Sequence, residues 1–127
     1  MFLTLEGIDG SGKSTQARLL AERLRADGVA VVLTREPGGT ALGESIRELV
    51  LHGGHVAPWA EAALYAASRA QHVEEVIRPA LERGDTVVCD RYVDSSVVYQ
   101  GVGRELGLER VLELNLTAVA GLLPDRT

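Results

Sequence analysis

The fold is decided near the N-terminus by the stretch Gly7-Ile8-Asp9-Gly10-Ser11-Gly12-Lys13-Ser14. It matches the pattern G-x-x-x-x-G-K-[ST], in which glycines let successive backbone N–H groups curl around phosphate oxygens at the start of a helix. Such a match arises by chance in a chain of this length on the order of once in a few hundred. The stretch therefore predicts a phosphate-binding loop. Lys13 would reach the β- and γ-phosphates, and the Ser14 hydroxyl would bind Mg²⁺.

Outward from this loop, strand patterns alternate with helix patterns. The predicted strands are residues 2–6, 29–33 and 86–89, and the continuous β-branched run at 29–33 predicts a strand buried on both faces. The predicted helices are 13–27 (with Gly28 as cap), 41–51 (with Ile46, Leu49 and Val50 inward), 57–83, 95–100 and 108–114. Pro79 is expected to kink or divide the helix at 57–83, and residues 123–127 read as a loop. Alternating strands and helices predict a parallel sheet with helices on both faces.

Asp90 and Arg91 close the third predicted strand. Ligands gather at the carboxyl ends of parallel strands, so Asp90 would lie near Ser14 if that strand pairs with the first. It could then hold the hydration shell of Mg²⁺, and the alternative is a helix N-cap. Arg91 is placed to clamp a transferring phosphoryl group, and the alternative is a surface arginine.

Composition excludes several classes of protein. Apolar residues make up 46% of the 127 residues and charged residues 24%, which excludes general disorder. The net charge of −5 argues against a nucleic-acid or membrane-surface binder. We expect a cytoplasmic protein, because there is no long apolar run, no basic leader and only one cysteine, Cys89. Of thirteen basic residues only Lys13 is a lysine, which predicts that this position needs a compact ammonium group.

Three further motifs carry a resemblance to a known family: Thr34-Arg35-Glu36-Pro37-Gly38-Gly39-Thr40, Tyr65-Ala66-Ala67-Ser68-Arg69 and Asp90-Arg91-Tyr92. With the phosphate-binding loop and at these intervals, they make the chain similar to bacterial thymidylate kinases. The resemblance implies a P-loop NTPase α/β fold with three α/β/α layers. It also implies an enzyme that moves the γ-phosphate of ATP to dTMP with Mg²⁺, giving dTDP for dTTP synthesis. Members of that family are homodimers.

The resemblance also implies roles for individual residues. ATP would be bound by Gly7, Ile8, Asp9, Gly10, Ser11, Gly12, Lys13, Ser14 and Thr15. The catalytic residues would be Lys13, Arg91 and Asp9, and Mg²⁺ would be held by Ser14 and Asp90, partly through water. The residues expected to bind dTMP are Asp9, Glu36, Pro37, Arg47, Tyr65, Arg69, Arg91, Ser96, Tyr99 and Gln100.

Within the dTMP set, Arg47 would meet the phosphate and Tyr65 would stack on thymine. Arg69 would contact a base carbonyl, and Ser96 and Gln100 would read the thymine edge. Tyr99 would crowd the sugar 2′ position.

Helical spacing supports part of this assignment independently. Tyr65, Arg69 and His72 lie at i, i+4 and i+7, so they share one helix face. Without the resemblance, Tyr65 would be assigned to core packing and Arg69 to the surface. His52 and His55 have no metal-ligand spacing and are expected in loops, so zinc is not predicted.

The chain departs from the family in two ways. Some members of the family carry a basic residue at the position of Gly10. This chain instead resembles the bacterial group, which lacks that residue and supplies arginines from a mobile lid. That lid lies later in family sequences than Thr127. We therefore expect residues 1–127 to form one P-loop kinase domain that covers roughly the N-terminal two-thirds of the family, with an incomplete sheet and without the lid. The alternatives are a non-catalytic nucleotide-binding fragment, or another P-loop small-molecule kinase.

Overall fold

The computed structural model describes all 127 residues. Its strands are β1 (Phe2–Leu5), β2 (Val31–Arg35) and β3 (Thr86–Asp90). Its helices are α1 (Lys13–Ala26), α2 (Ala41–His52), α3 (Pro58–His72), α4 (Arg78–Glu82), α5 (Val93–Ser96) and α6 (Leu108–Ala118). Two π-helical turns, Val73–Ile77 and Val97–Val102, extend α3 and α5. The alternation predicted from the sequence is confirmed.

The three strands form a parallel sheet in the order β1-β3-β2. Because β3 is central, its last residue, Asp90, pairs in register with both Leu5 and Arg35. The carboxyl ends of all three strands therefore meet at one edge of the sheet. The outer edge of β1 bridges to the last residues of the chain, where the Thr4 N–H donates to the Arg126 carbonyl at 3.0 Å.

Backbone conformation explains the two glycines that precede the start of α1. Gly10 and Gly12 have φ of +79° and +87°, and no atom lies within 4 Å of a Cβ built on either. Space does not demand glycine there, but the left-handed backbone does, because a side chain strains this conformation. The loop is thereby turned so that α1 begins directly at Lys13.

The main core lies under the sheet and is built on β1 and β3. The Phe2 and Tyr92 rings meet edge to face with centroids 5.0 Å apart. Around them cluster the buried residues Val73, Ile77, Ala80, Val87, Cys89, Val93 and Val119. A separate small cluster joins α3 to α6. The packing of this core against β3 holds in place the end of the strand that carries Asp90.

Two burial predictions are wrong. The second strand is not buried on both faces: β2 is an edge strand, its residues are at most half-buried, and Leu33 is 38% exposed. On α2, Ile46 is buried as predicted and Val50 is half-buried, but Leu49 is 52% exposed. The two elements lie at the margin of the fold: β2 has a neighbouring strand, β3, on one edge only, and α2 packs mainly against α3.

The predicted long helix is confirmed, as is its division near Pro79. The π-helical turn Val73–Ile77 immediately precedes α4, in which Pro79 occupies one of the first two positions. Proline lacks the N–H that an uninterrupted α-helix would use, and a wider turn accommodates that loss. None of the helices has the length and apolar content that crossing a membrane requires.

Candidate functional site

The loop between β1 and α1 lines a cavity of about 350 Å³ that has no hydrophobic residue in its wall. Within the loop, the Lys13 ammonium group donates to the Ile8 carbonyl at 2.7 Å. Of the nine residues predicted to bind ATP, six line this cavity: Asp9, Gly10, Gly12, Lys13, Ser14 and Thr15. Gly7, Ile8 and Ser11 complete the loop but are not part of the lining. A cavity with backbone N–H groups, an ammonium group and no apolar wall suits phosphate.

Asp90 lies beside Ser14, as expected for neighbouring β1 and β3. The Ser14 hydroxyl donates to Asp90 Oδ2, while Oδ1 is buried and has no hydrogen-bond partner. The helix N-cap alternative is wrong, because Tyr92 occupies that position of α5 and no side chain caps the helix. A hydroxyl and a carboxylate with a spare buried oxygen form a donor set that fits Mg²⁺.

A second cavity of about 540 Å³ adjoins the first. This volume lies in the range of small-molecule sites. All ten residues predicted to bind dTMP line it: Asp9, Glu36, Pro37, Arg47, Tyr65, Arg69, Arg91, Ser96, Tyr99 and Gln100. Five residues that the sequence analysis did not select complete the wall: Leu51, Glu61, Ser95, Gly103 and Arg104. Residues from four separate segments of the chain are thus brought to one pocket.

Arg91 stands between the two cavities in a left-handed backbone conformation (φ +74°). Its guanidinium donates to Asp9 at 2.5 Å and to the Ser95 hydroxyl at 3.0 Å, and it lies 5.2 Å from the Tyr99 ring centroid. Burial alone would lower the pKa of Arg91, but the contacts with Tyr99 and Asp9 outweigh it and raise the pKa. The guanidinium is therefore permanently charged and held where the cavities meet.

Arg69 is hydrogen-bonded through every guanidinium nitrogen and is only 2% exposed, so the alternative interpretation of a surface residue is wrong. Its Nε donates to Glu36 at 2.6 Å, one terminal nitrogen donates to Ser96 and Asn115, and the other donates to the Tyr92 carbonyl at 2.9 Å. These bonds use four of the five N–H groups of a guanidinium. One N–H remains for an acceptor in the pocket that Arg69 lines.

Arg47 is the exception among the pocket arginines, because it has no carboxylate partner. Its guanidinium donates to the Pro37 carbonyl at 3.0 Å. The other three are paired: Arg69 with Glu36, Arg91 with Asp9 and Arg104 with Glu61. The charge of Arg47 is therefore the one left uncompensated for an incoming anion.

Glu61 and Arg104 form the far wall of the pocket and were missed by the sequence analysis. Arg104 donates to Glu61 at 2.5 Å, and the Gln100 amide donates to the same carboxylate at 2.9 Å. Burial raises the pKa of Glu61, but the bonds from Arg104 and Gln100 outweigh it and leave the pKa below the ordinary value. No motif marks Glu61 or Arg104, and only the folded chain brings them together.

Glu6 and Asn115 were also missed. Glu6 accepts from the Tyr92 N–H at 2.7 Å and from the Ser95 hydroxyl at 2.5 Å, and so holds the segment that carries Arg91. Asn115 is fully buried on α6 and accepts from Arg69. Asn115 could have been found from the sequence. It lies four residues after the apolar Val111 and therefore on the same face of α6, and a polar side chain on a buried face indicates a hydrogen-bond partner in the core.

A phosphate-binding loop between a parallel strand and a helix, beside a second ligand-sized pocket, defines an α/β protein of the P-loop kinase type. A family model described as thymidylate kinase matches residues 5–127. The chain is 62% identical to the thymidylate kinase of Clavibacter sepedonicus and 59% identical to that of Synechococcus sp. (strain JA-3-3Ab), in each case over its whole length. It covers 61% and 62% of those relatives, and so spans about three-fifths of their length.

Solved structures agree with the sequence comparisons. The thymidylate kinase of Ehrlichia chaffeensis, a crystal structure at 2.15 Å resolution, superposes with a TM-score of 0.91 at 44% identity. The match covers 98% of this chain and 71% of that one. The chain belongs to the thymidylate kinase family, and its α/β P-loop kinase fold is confirmed.

Proposed function

We propose that this chain provides the donor and acceptor sites of an ATP-dependent dTMP kinase, which transfers the γ-phosphate of ATP to dTMP. One observation carries the proposal: all ten residues expected to bind dTMP line one pocket, and that pocket shares a wall with the phosphate-binding cavity. The shared wall consists of Asp9, Glu36, Arg47 and Arg91. Two phosphates bound on its two sides would face each other.

On the donor side, the loop N–H groups and Lys13 would bind the phosphates of ATP. Ser14 and Asp90 would hold Mg²⁺, because their hydroxyl and spare buried carboxylate oxygen suit that ion. When bound, the ion supplies neutralisation of the phosphate charge. Lys13 is free to turn from the Ile8 carbonyl to a phosphate, since that hydrogen bond is exposed to solvent.

On the acceptor side, the pocket offers separate groups for phosphate and base. Arg47 has the unpaired charge and would bind the dTMP phosphate. Tyr65 is half-buried in the lining and would present its ring to thymine, where the remaining N–H of Arg69 would donate to a base carbonyl. Ser96 and Tyr99 would contact the base edge and the sugar.

Phosphoryl transfer requires the protein mainly to position the reactants and to neutralise charge. Arg91 would stabilise the charge that develops on the transferring group, because it stands where the two cavities meet. Asp9 keeps Arg91 directed to this point through their ion pair. Lys13 would act on the same group from the donor side.

The wider context of the proposal follows from the family resemblance. Residues 1–127 would act as one kinase domain of a cytoplasmic homodimer that does not bind nucleic acid. The net charge of −5 supports the last point. Two leucines of α2, Leu42 and Leu49, are about half exposed and lie seven residues apart on one side of the helix, where they offer an apolar face for a second copy. Light scattering on the purified protein measures the oligomeric state.

The proposal is tested by phosphate transfer from Mg-ATP, with dTMP, dCMP, UMP and AMP offered as acceptors to the complete protein. We expect transfer to dTMP alone, and loss of transfer in Lys13→Ala with an unchanged circular dichroism spectrum. Transfer to another acceptor would indicate a different small-molecule kinase. Saturable dTMP binding without transfer would indicate a non-catalytic nucleotide-binding protein.

A further inference from the structure

A chain of buried hydrogen bonds runs behind the acceptor pocket and is centred on His72, which is 0% exposed. On one side, His72 Nδ1 lies 2.9 Å from a Glu36 oxygen, and on the other, Nε2 lies 2.7 Å from the Thr34 hydroxyl. The second Glu36 oxygen accepts from Arg69, whose guanidinium continues the chain to Ser96. His72 itself does not line the pocket.

The positions of the protons follow from the partners. An ionised carboxylate only accepts, so the Nδ1–H of His72 donates to Glu36. The other ring nitrogen, Nε2, is hydrogen-bonded to the Thr34 hydroxyl. The imidazole thus fixes one Glu36 oxygen and leaves the other for Arg69. Without it, the carboxylate could turn away from Arg69.

The same ring also supports the loop at the phosphate end of the pocket. A Cβ built on Gly39 would lie only 2.6 Å from His72 Nε2, so the loop backbone passes directly over the imidazole. Two residues before Gly39, the Pro37 carbonyl accepts from Arg47. His72 therefore contacts both Glu36, which holds Arg69, and the loop whose Pro37 carbonyl holds Arg47.

A metal site is the competing interpretation of these side chains. Ligand atoms of Glu36, His72 and Cys89 lie within 4.8 Å of one another. Each already has a protein partner, however: Arg69 neutralises Glu36, Thr34 occupies the second nitrogen of His72, and the Cys89 thiol donates to a backbone carbonyl. Burial raises the pKa of the Cys89 thiol, which opposes the thiolate that a metal would need. The hydrogen-bonded network accounts for the cluster.

We propose that His72 is a positioning residue for the acceptor nucleotide, acting through Glu36 on the base-binding Arg69 and through the Gly39 backbone on the loop that supports Arg47. The inference rests on the proposed function, because it takes dTMP as the acceptor. The inference goes further than that function, because it makes the affinity for dTMP depend on a side chain that does not contact the substrate. Glu36 and Arg47 also line the phosphate cavity, but none of these bonds reaches Lys13 or Ser14, so ATP binding should depend on His72 much less than dTMP binding does.

Two isosteric substitutions separate the two nitrogens of the ring. The amide nitrogen of asparagine can replace Nδ1, so His72→Asn keeps the donor to Glu36 and loses the contact with Thr34. Glutamine reaches to the place of Nε2, so His72→Gln keeps the contact with Thr34 and loses the donor to Glu36. Glutamine also fills more of the buried space. A role in packing alone therefore predicts that His72→Gln is the milder change, whereas positioning predicts the reverse.

The experiment measures kcat and the KM values for dTMP and ATP in the complete protein. We expect His72→Gln to raise the KM for dTMP about tenfold or more, the effect of losing a hydrogen bond to a charged group. His72→Asn and Thr34→Val should raise it only a few-fold, and in every variant the KM for ATP should change much less than the KM for dTMP. His52→Asn, at an exposed histidine, is the matched control.

The outcomes are distinguishable from failure of the proposed function. A wild-type protein that does not phosphorylate dTMP refutes that function and removes this inference with it. With an active wild type, equal losses in His72→Gln and His72→Asn, or a parallel loss for ATP, overturn the positioning role. If neither histidine variant folds, Thr34→Val decides: an unchanged KM for dTMP overturns the inference.

Discussion

Replacing Arg47 by glutamine is expected to weaken dTMP binding about thirtyfold and to leave thymidine binding nearly unchanged. Arg47 is the pocket arginine without a carboxylate partner, so its charge is available to a phosphate. A two-pronged guanidinium–phosphate contact contributes about 3 kcal/mol, and releasing the Pro37 carbonyl costs about 1 kcal/mol. The difference of about 2 kcal/mol corresponds to about thirtyfold in the dissociation constant.

Isothermal titration with dTMP and with thymidine tests this reasoning, because the two ligands differ only by the phosphate. The preference for dTMP, expressed as the dissociation constant of thymidine divided by that of dTMP, should fall about thirtyfold in Arg47→Gln. Arg104→Gln is the matched control, since Arg104 also lines the pocket but is paired with Glu61. It should leave the ratio intact. An equal loss for dTMP and thymidine in Arg47→Gln would refute the reasoning and show that Arg47 acts by supporting the loop.

Two further predictions concern stability. Gly39→Ala should lower the free energy of unfolding by about 3 kcal/mol, because a left-handed backbone and a clash with His72 combine, whereas Gly28→Ala has open space and should cost about 1 kcal/mol. Urea titration measures both, and equal losses would argue against the close packing on His72. The pKa of Glu61 lies below its ordinary value of 4.5, so its stabilising contribution is complete above that pH and is lost as the pH falls through the lower, folded-state pKa. The stability difference between wild type and Glu61→Gln should therefore shrink as the pH falls below 4.5, and a difference independent of pH would contradict the assignment.

Local signals explain what the sequence could predict. The phosphate-binding loop, its strand and its helix were all predictable, because glycine spacing and apolar periodicity act over a few residues. Placing Asp90 beside Ser14 required only the assumption that the first and third strands are neighbours. The pocket residues came from the family resemblance, and the structure brings all ten together.

Non-local packing explains the errors. A β-branched run such as residues 29–33 has the same local pattern in a central strand and in an edge strand. The strand order that leaves β2 at the edge depends on β3, more than fifty residues later. The prediction that Leu49 faces inward failed for a related reason. The spacing of apolar residues on α2 does not reveal how much of the helix surface α3 covers. The partners of Arg69 likewise come from distant segments.

Under the proposed function, the wall shared by the two cavities would link the two nucleotides energetically. Asp9 and Arg91 face both sides, so a ligand that redirects their ion pair from one side changes what the other side offers. Linkage then requires the effect to be reciprocal: whatever factor ATP imposes on the affinity for dTMP, dTMP imposes on the affinity for ATP. A substitution at Asp9 or Arg91 should therefore change the affinities for both nucleotides. An affinity for either nucleotide has meaning only when the occupancy of the other site is stated.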